Sequence, residues 1–142
     1  MIPRKPTIAD APLIASLSDE LGYAVDSMVM AKRLMNLIDH PDCHLVLVES
    51  DGEVAGWIQV HAYESLESGF RTEIVGLVVG SRFRRKGIGR LLVDDAIKWS
   101  KMQGAEAVVV RSNVVRKESH QFYPSVGFKP MKTQAVYRKL LR

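Results

Sequence analysis

The stretch that decides the fold is Val79-Gly-Ser-Arg-Phe-Arg-Arg-Lys-Gly-Ile-Gly-Arg90, where an apolar strand runs into a basic loop and a helix opens after two glycines. Glycines leave backbone N–H groups uncovered, a helix N-terminus carries partial positive charge, and arginine or lysine adds full charge. This combination favours binding of a diphosphate. The Walker A spacing is absent, and residue 92 is leucine where the dinucleotide fingerprint needs a third glycine. Kinases, ATPases and dehydrogenases with these signatures are therefore excluded.

Periodicity outward from this loop predicts helices and strands of mixed order. Pro12 lies in the first turn of a helix ended by Gly22, and Asp26 caps a second helix. Asp51-Gly52 predicts a hairpin turn. After a first extended segment at residues 2–6 and these two helices, we expect strands at 44–49, 54–63 and 72–79, a helix at 87–104, a strand at 107–110, a helix at 115–126, and strands at 129–133 and 135–141. This order indicates an α/β (α+β) fold rather than a βαβ repeat.

The composition is that of an ordinary globular protein. The chain has 142 residues, is 46% hydrophobic and 25% charged, and carries a net charge of +4, which favours a single domain over residues 1–142. Cys43 is the only cysteine, so an intrachain disulfide and a cysteine metal cluster are excluded. No signal-peptide core is present, and no apolar run approaches the roughly eighteen residues of a membrane helix. We predict a cytoplasmic protein with no metal and no membrane partner.

Three segments together resemble the GNAT superfamily of acetyl-coenzyme A dependent N-acetyltransferases. Arg84-Arg-Lys-Gly-Ile-Gly89 matches the family motif [Q/R]-x-x-G-x-[G/A], and Ser112-Asn113 followed by Ser119-His-Gln-Phe-Tyr-Pro-Ser-Val-Gly-Phe128 resembles the second motif of small bacterial members. Arg4-Lys-Pro-Thr-Ile-Ala-Asp10 is similar to the family's first strand and turn. The resemblance implies the GNAT fold, a mixed and mostly antiparallel central sheet of six to seven strands flanked by about four helices.

The resemblance also implies which residues bind the cofactor, acetyl-CoA. Backbone amides and charges of the basic loop would hold the pyrophosphate, the end of the third predicted strand would pair with the pantetheine arm, and a bulge near Gly76 or Gly80 would open a slot for it. Asn113 would hydrogen-bond the pantetheine. The full set of expected cofactor-binding residues is Leu77, Val78, Val79, Arg84, Arg85, Lys86, Gly87, Ile88, Gly89, Arg90, Asn113 and Phe122.

Two catalytic residues are carried over in the same way. Tyr123 would protonate the leaving thiolate, a role that suits a phenol because it keeps its proton at neutral pH. Glu73 would be the general base, with a chain of waters as the alternative that other branches of the superfamily use. The amide of Val79 would polarise the thioester carbonyl. Pro124 departs from the family pattern, because it lacks an N–H and requires the helix to kink or end there.

The acceptor is predicted to be a primary amine on a small molecule or a peptide. In this superfamily the first two helices, the loop after the second hairpin strand and the last strands form the acceptor groove, here residues 23–39, 63–71 and 131–137. Glu64, Glu67 and Glu73 would make one side of that groove acidic, which favours a cationic amine. Homodimers are common in the superfamily, and residues 135–141 are a candidate exchange strand.

Simpler structural interpretations of the same residues remain open. Charge runs are usually solvated loops, Tyr123 without the resemblance would be a core tyrosine, and Glu73 would be a solvent-facing edge carboxylate. A non-catalytic acetyl-CoA sensor is the main alternative function. A nucleic-acid binder, suggested by the pI of about 9.3, is disfavoured because few aromatic residues interleave the basic ones. We therefore predict no nucleic-acid partner.

Overall fold

In the computed structural model, a tight turn at Asp51 and Gly52 joins the first two strands of the central sheet. Both residues have positive φ angles, 53° and 77°, as a type I′ hairpin turn requires. Strand β1 spans Cys43–Ser50 and β2 spans Glu53–Ser65, and the two pair antiparallel. The Asp-Gly hairpin predicted from the sequence is confirmed.

The sheet has four strands in the order β1-β2-β3-β4 among the described residues, 1–112 and 117–142. Strand β3 spans Gly69–Val79 and runs antiparallel to β2, whereas β4, Val108–Val110, runs parallel to β3. The mixed, mostly antiparallel character is confirmed. The expected six to seven strands are wrong, since the extended segment at residues 2–6 forms one isolated bridge, Arg4 to Leu47, and no ladder.

Helices cover both faces of this sheet. Helices α1, Ala11–Glu20, and α2, Ser27–Leu37, pack on one face, where Ile14, Leu17 and Leu34 join buried residues of β1. The Asp26 side chain accepts a hydrogen bond from the Met28 amide at 2.8 Å, which confirms the predicted cap. Helix α3, Ile88–Met102, lies on the opposite face, where the hydroxyls of Ser100 and Thr72 are 2.6 Å apart and buried. Cys43 is buried in the core that α1 and α2 form with β1.

The chain divides into two compact units, Met1–Arg111 and Ser112–Arg142. The first contains the whole sheet and α1 to α3. The second contains α4, Lys117–Ser125, which brings the helices to the predicted four. The strands expected at residues 129–133 and 135–141 are wrong, because this segment is exposed throughout and forms no ladder with any described strand. Alternating apolar residues give a segment strand propensity, but a strand also needs a neighbour to accept its hydrogen bonds.

No helix in the described ranges is long and apolar enough to cross a membrane.

Candidate active site

The basic loop forms a compact turn between β3 and α3. After Val79 the chain makes a short 3₁₀ turn over Ser81–Phe83, and Arg85 and Gly87 then adopt left-handed conformations with φ of 62° and 77°. Gly87 is the residue directly before α3 and gives it no side-chain cap. The first amide to bond within α3 is that of Leu91, which donates to the Gly87 carbonyl at 3.0 Å. The amides of Ile88 and Gly89 are therefore left for an external anion.

The loop contains cations that no described carboxylate neutralises. Arg84, Arg85 and Lys86 are exposed, and none of them forms an ion pair with a carboxylate in residues 1–112 and 117–142. Lys86 has its ammonium 5.7 Å from the centre of the Phe83 ring, which is buried. Uncovered amides and unpaired cations at one helix N-terminus are what a pyrophosphate needs.

Two carboxylates anchor the start of the loop from other elements. Glu20, the last residue of α1, accepts hydrogen bonds from the Ser81 amide at 3.0 Å and the Ser81 hydroxyl at 2.7 Å. These bonds, with smaller contributions from Arg84 and Arg82, lower the pKa of Glu20. Glu53 pairs with Arg82. Neither Glu20 nor Glu53 lies in a sequence motif. Both contacts join residues far apart in the chain, so the sequence alone did not indicate them.

Gly56 of β2 lets α3 approach the sheet beneath the loop. A Cβ atom placed on it would lie 2.8 Å from the Val78 carbonyl oxygen and 3.2 Å from a methyl group of Ile88. Any larger residue would push the first turn of α3 away from β3. The sequence gives no local signal for this requirement, since Gly56 lies in an ordinary apolar strand.

Strand β3 has an open edge next to the loop. Its pairing with β4 covers Thr72, Glu73 and Ile74 only, although its pairing with β2 continues to Val79. The register shifts by one residue beside Gly76, which confirms the predicted bulge. Residues 75–79 therefore have no neighbour on the β4 side among the described strands. An extended chain such as a pantetheine arm fits an edge of this kind.

Glu73 lies in a polar cluster built from β2, β3 and the residue after β4, which we call the β3 cluster: Tyr63, Arg71, Glu73 and Arg111. The Tyr63 hydroxyl donates to Glu73 Oε1 at 3.0 Å, and the Arg111 guanidinium donates to the same oxygen at 2.5 Å. The Glu73 side chain is 13% exposed and Arg111 is 55% exposed. Arg71 Nε donates to the Tyr63 hydroxyl at 3.0 Å. The paired carboxylate raises the pKa of Arg111.

The expected acidic wall does not form as predicted. Tyr63 and Glu73 share one face of the sheet, as their hydrogen bond requires, and Glu64 is the next residue after Tyr63 on β2. Neighbouring residues of a strand point to opposite faces. Glu64 therefore lies on the other side of the sheet from Glu73, and Arg111 neutralises Glu73 itself.

Tyr123 belongs to the second unit, where the end of α4 fixes its position. The Phe128 amide donates to the Tyr123 carbonyl at 3.0 Å and the Gly127 amide to the Pro124 carbonyl at 3.2 Å, with Gly127 at φ 96°. This is a Schellman end, and the rings of Phe128 and Tyr123 pack edge to face at 5.7 Å. The helix continues one residue beyond Pro124 and ends at Ser125.

Most predicted cofactor residues lie within residues 77–90. Residues 77–79 are the end of β3, and residues 84–90 are the second half of the loop and the first turn of α3. Phe122 lies in the second unit, with its ring 5.2 Å from that of Tyr123. Asn113 lies outside the described residues.

Comparison with known proteins agrees with this architecture. The model of the Acetyltransferase (GNAT) family matches residues 12–128. An aminoalkylphosphonate N-acetyltransferase of Salmonella typhimurium is 35% identical over 95 residues, which cover 66% of this chain and 61% of that protein. An N-acetylaspartate synthetase of Rattus norvegicus is 32% identical over 81 residues, which cover 57% of this chain and 26% of that protein. The matches thus span only part of these curated relatives.

Among solved structures, an aminoglycoside antibiotic 6'-N-acetyltransferase from Acinetobacter haemolyticus superposes with a TM-score of 0.85 over 100% of both chains at 16% identity. At that identity the likeness concerns the fold. The family match covers the strands, the loop and the helices described above. The chain therefore belongs to the GNAT acetyltransferase family.

Proposed function

We propose that this protein transfers the acetyl group of acetyl-CoA to a primary amine in a ternary complex. The observation that carries the proposal is the loop before α3, where uncapped amides and unpaired cations lie beside the open edge of β3. The diphosphate and the amide-bearing arm of acetyl-CoA match these two features. The family to which the chain belongs supports the same activity.

The residues divide between holding the cofactor and moving protons. Residues 77–79 and 84–90, with Asn113 and Phe122, would hold acetyl-CoA. When bound, it supplies a thioester whose carbonyl carbon forms a bond to the amine nitrogen as its bond to sulfur breaks. Glu73 takes the proton that the amine loses, directly or through water. Its Oε2 is the atom for this role, because both hydrogen bonds from described residues go to Oε1. Tyr123 gives its phenolic proton to the departing sulfur.

The acceptor is a primary amine of a small molecule or peptide. The related proteins named above act on aminoalkylphosphonates and form N-acetylaspartate according to their names, and the structural neighbour acts on aminoglycosides. These amines are small molecules, and they differ in charge. The main alternative, an acetyl-CoA sensor without turnover, is disfavoured by the Glu73 carboxylate, which keeps an oxygen for proton transfer.

A homodimer in the cytoplasm completes the proposal. The segment after α4 exposes large apolar side chains: Met131, Val136, Tyr137, Leu140 and Leu141. Several exposed large apolar side chains in one segment are a candidate surface for a partner. A second copy of the chain would cover it, and light scattering of the purified protein gives the mass that distinguishes monomer from dimer.

Turnover is the test of the function. Release of free thiol from acetyl-CoA is followed in the presence of a panel of primary amines, with Tyr123→Phe as the matched variant. We expect amine-dependent thiol release by the wild type. For Tyr123→Phe we expect kcat about 100-fold lower with an unchanged KM for acetyl-CoA, because the hydroxyl acts on the leaving group only. Binding of acetyl-CoA without thiol release on any amine would favour the sensor.

A further inference from the structure

The β3 cluster contains more positive charge than Glu73 can neutralise. The cluster contains two guanidinium groups and one carboxylate. Arg111 donates to the Glu73 carboxylate directly, whereas Arg71 is connected to it only through the Tyr63 hydroxyl. Arg111 pairs with Glu73, whereas Arg71 forms no ion pair with any described carboxylate. The side chains of the cluster alone, two guanidinium groups and one carboxylate, therefore sum to a net charge of +1.

The Arg71 guanidinium is held in place but keeps its terminal donors. Its Nε donates to the Tyr63 hydroxyl, and its central carbon lies 5.4 Å from the centre of the Tyr63 ring. No hydrogen bond from its two terminal nitrogens to another described residue is found. A guanidinium fixed at Nε and open at its terminal nitrogens is arranged to bind a carboxylate or phosphonate with two parallel hydrogen bonds.

The spacing of the cluster limits the size of such a ligand. Arg71 and Glu73 are two residues apart on β3 and point to one face, so their backbones are about 7 Å apart. An amine at Glu73 Oε2 and an anion at Arg71 would therefore belong to one short molecule. The open edge of β3 begins at Val75, two residues beyond Glu73.

We propose that Arg71 forms an anion clamp, and that the acceptor is a short primary amine carrying a carboxylate or phosphonate at its other end. This rests on the proposed function. The clamp orders the acceptor along β3, with its amine at Glu73 and its anion at the Arg71 guanidinium. It also selects against cationic amines, which the unneutralised charge repels.

Four primary amines of similar length test the clamp in the thiol-release assay, and we call each anionic, neutral or cationic by the group at its other end. β-Alanine and 2-aminoethylphosphonate are the anionic amines, 3-aminopropanol is the neutral amine, and 1,3-diaminopropane is the cationic amine. We expect kcat/KM for one or both anionic amines to exceed that for the neutral amine at least ten-fold, because hydrogen bonds to charged groups contribute the most. The better of the two identifies carboxylate or phosphonate as the anion. A wild type that prefers the neutral or cationic amine overturns the proposal.

Variants place the selectivity on the cluster. Arg71→Met should lower the ratio of kcat/KM between anionic and neutral amine about ten-fold, and Arg71→Lys should lower it less. Both amines are measured on one preparation, so partial misfolding cancels in the ratio. Lys98→Met, on the exposed side of α3, removes the same charge elsewhere and should leave the ratio unchanged. An unchanged ratio in Arg71→Met contradicts the clamp.

Calorimetric titration of 2-aminoethylphosphonate and β-alanine separates the clamp from the activity. Binding of either by the wild type that is lost in Arg71→Met supports the clamp even if acetyl-CoA is not bound, in which case the proposed function fails alone. Binding of acetyl-CoA together with equal affinity of wild type and Arg71→Met for these amines overturns the clamp alone.

Discussion

The loop before α3 and the β3 cluster both contain arginine side chains, but the two regions differ in whether a carboxylate neutralises them. In the loop, Arg84 and Arg85 are neighbours in sequence and have no carboxylate partner within residues 1–112 and 117–142. In the cluster, Arg111 and Glu73 are 38 residues apart and form an ion pair. The loop is thus arranged for a ligand of high negative charge. The cluster combines a proton acceptor with a smaller positive excess, as expected where an amine and an anion meet.

Removing the carboxylate of the cluster should separate chemistry from cofactor binding most clearly. We expect Glu73→Gln to lower kcat about 100-fold, because the amide accepts no proton at neutral pH, while the KM for acetyl-CoA stays unchanged. Steady-state kinetics with saturating amine measures both constants. A change in KM alone would assign Glu73 to binding and remove the contrast between the two regions.

The stability of the fold beneath the loop should depend on the close approach of α3 to the sheet at Gly56. Gly56→Ala places a methyl group 2.8 Å from the Val78 carbonyl oxygen, so we expect the free energy of unfolding to fall by about 1–3 kcal/mol. Gly87→Ala is the matched control, because it meets no atom within 4 Å and only its positive φ is unfavourable. Its cost should be about 1 kcal/mol. Urea unfolding measures both, and a smaller loss for Gly56→Ala than for Gly87→Ala would show that the packing beneath the loop is not tight.

The anchor at Glu20 should affect cofactor affinity moderately. Glu20→Ala removes the oxygen that accepts both hydrogen bonds from Ser81, so we expect acetyl-CoA to bind about 3- to 10-fold more weakly. Glu20→Gln keeps an acceptor oxygen and removes a negative charge beside the loop, so it should bind as tightly as the wild type or more tightly. Tighter binding by both variants would mean that Glu20 acts through its charge only.

Acid should weaken this anchor by a small amount. The Ser81 hydrogen bonds lower the pKa of Glu20 from its ordinary value of 4.5, so the folded state favours the ionised form. The stabilisation is present above pH 4.5 and is lost as the pH falls through the lowered pKa. The difference in unfolding free energy between wild type and Glu20→Gln should therefore be constant from pH 8 to 5 and shrink below that. A difference that grows in acid would contradict the assignment.

The contrast between the two regions also explains what the sequence predicts. The loop, the Asp51-Gly52 hairpin and the capped helices depend on neighbours in the chain, and each was predicted at its place. The bulge beside Gly76 was predicted from the resemblance. The β3 cluster depends on the register of three strands, so neither the Arg111 pairing nor the position of Glu64 on the opposite face could be predicted from composition. The tail shows the same limit, because residues 135–141 have a strand pattern but pair with no described strand.

Binding of acetyl-CoA tests the central claim most directly. Calorimetric titration compares the wild type with the Arg84→Glu, Gly87→Glu double variant, which reverses a charge and fills the turn before α3, and circular dichroism confirms that both are folded. We expect saturable binding by the wild type and at least 100-fold weaker binding by the variant. Absence of binding by the folded wild type, or equal binding by both proteins, would contradict the assignment of this loop to the cofactor.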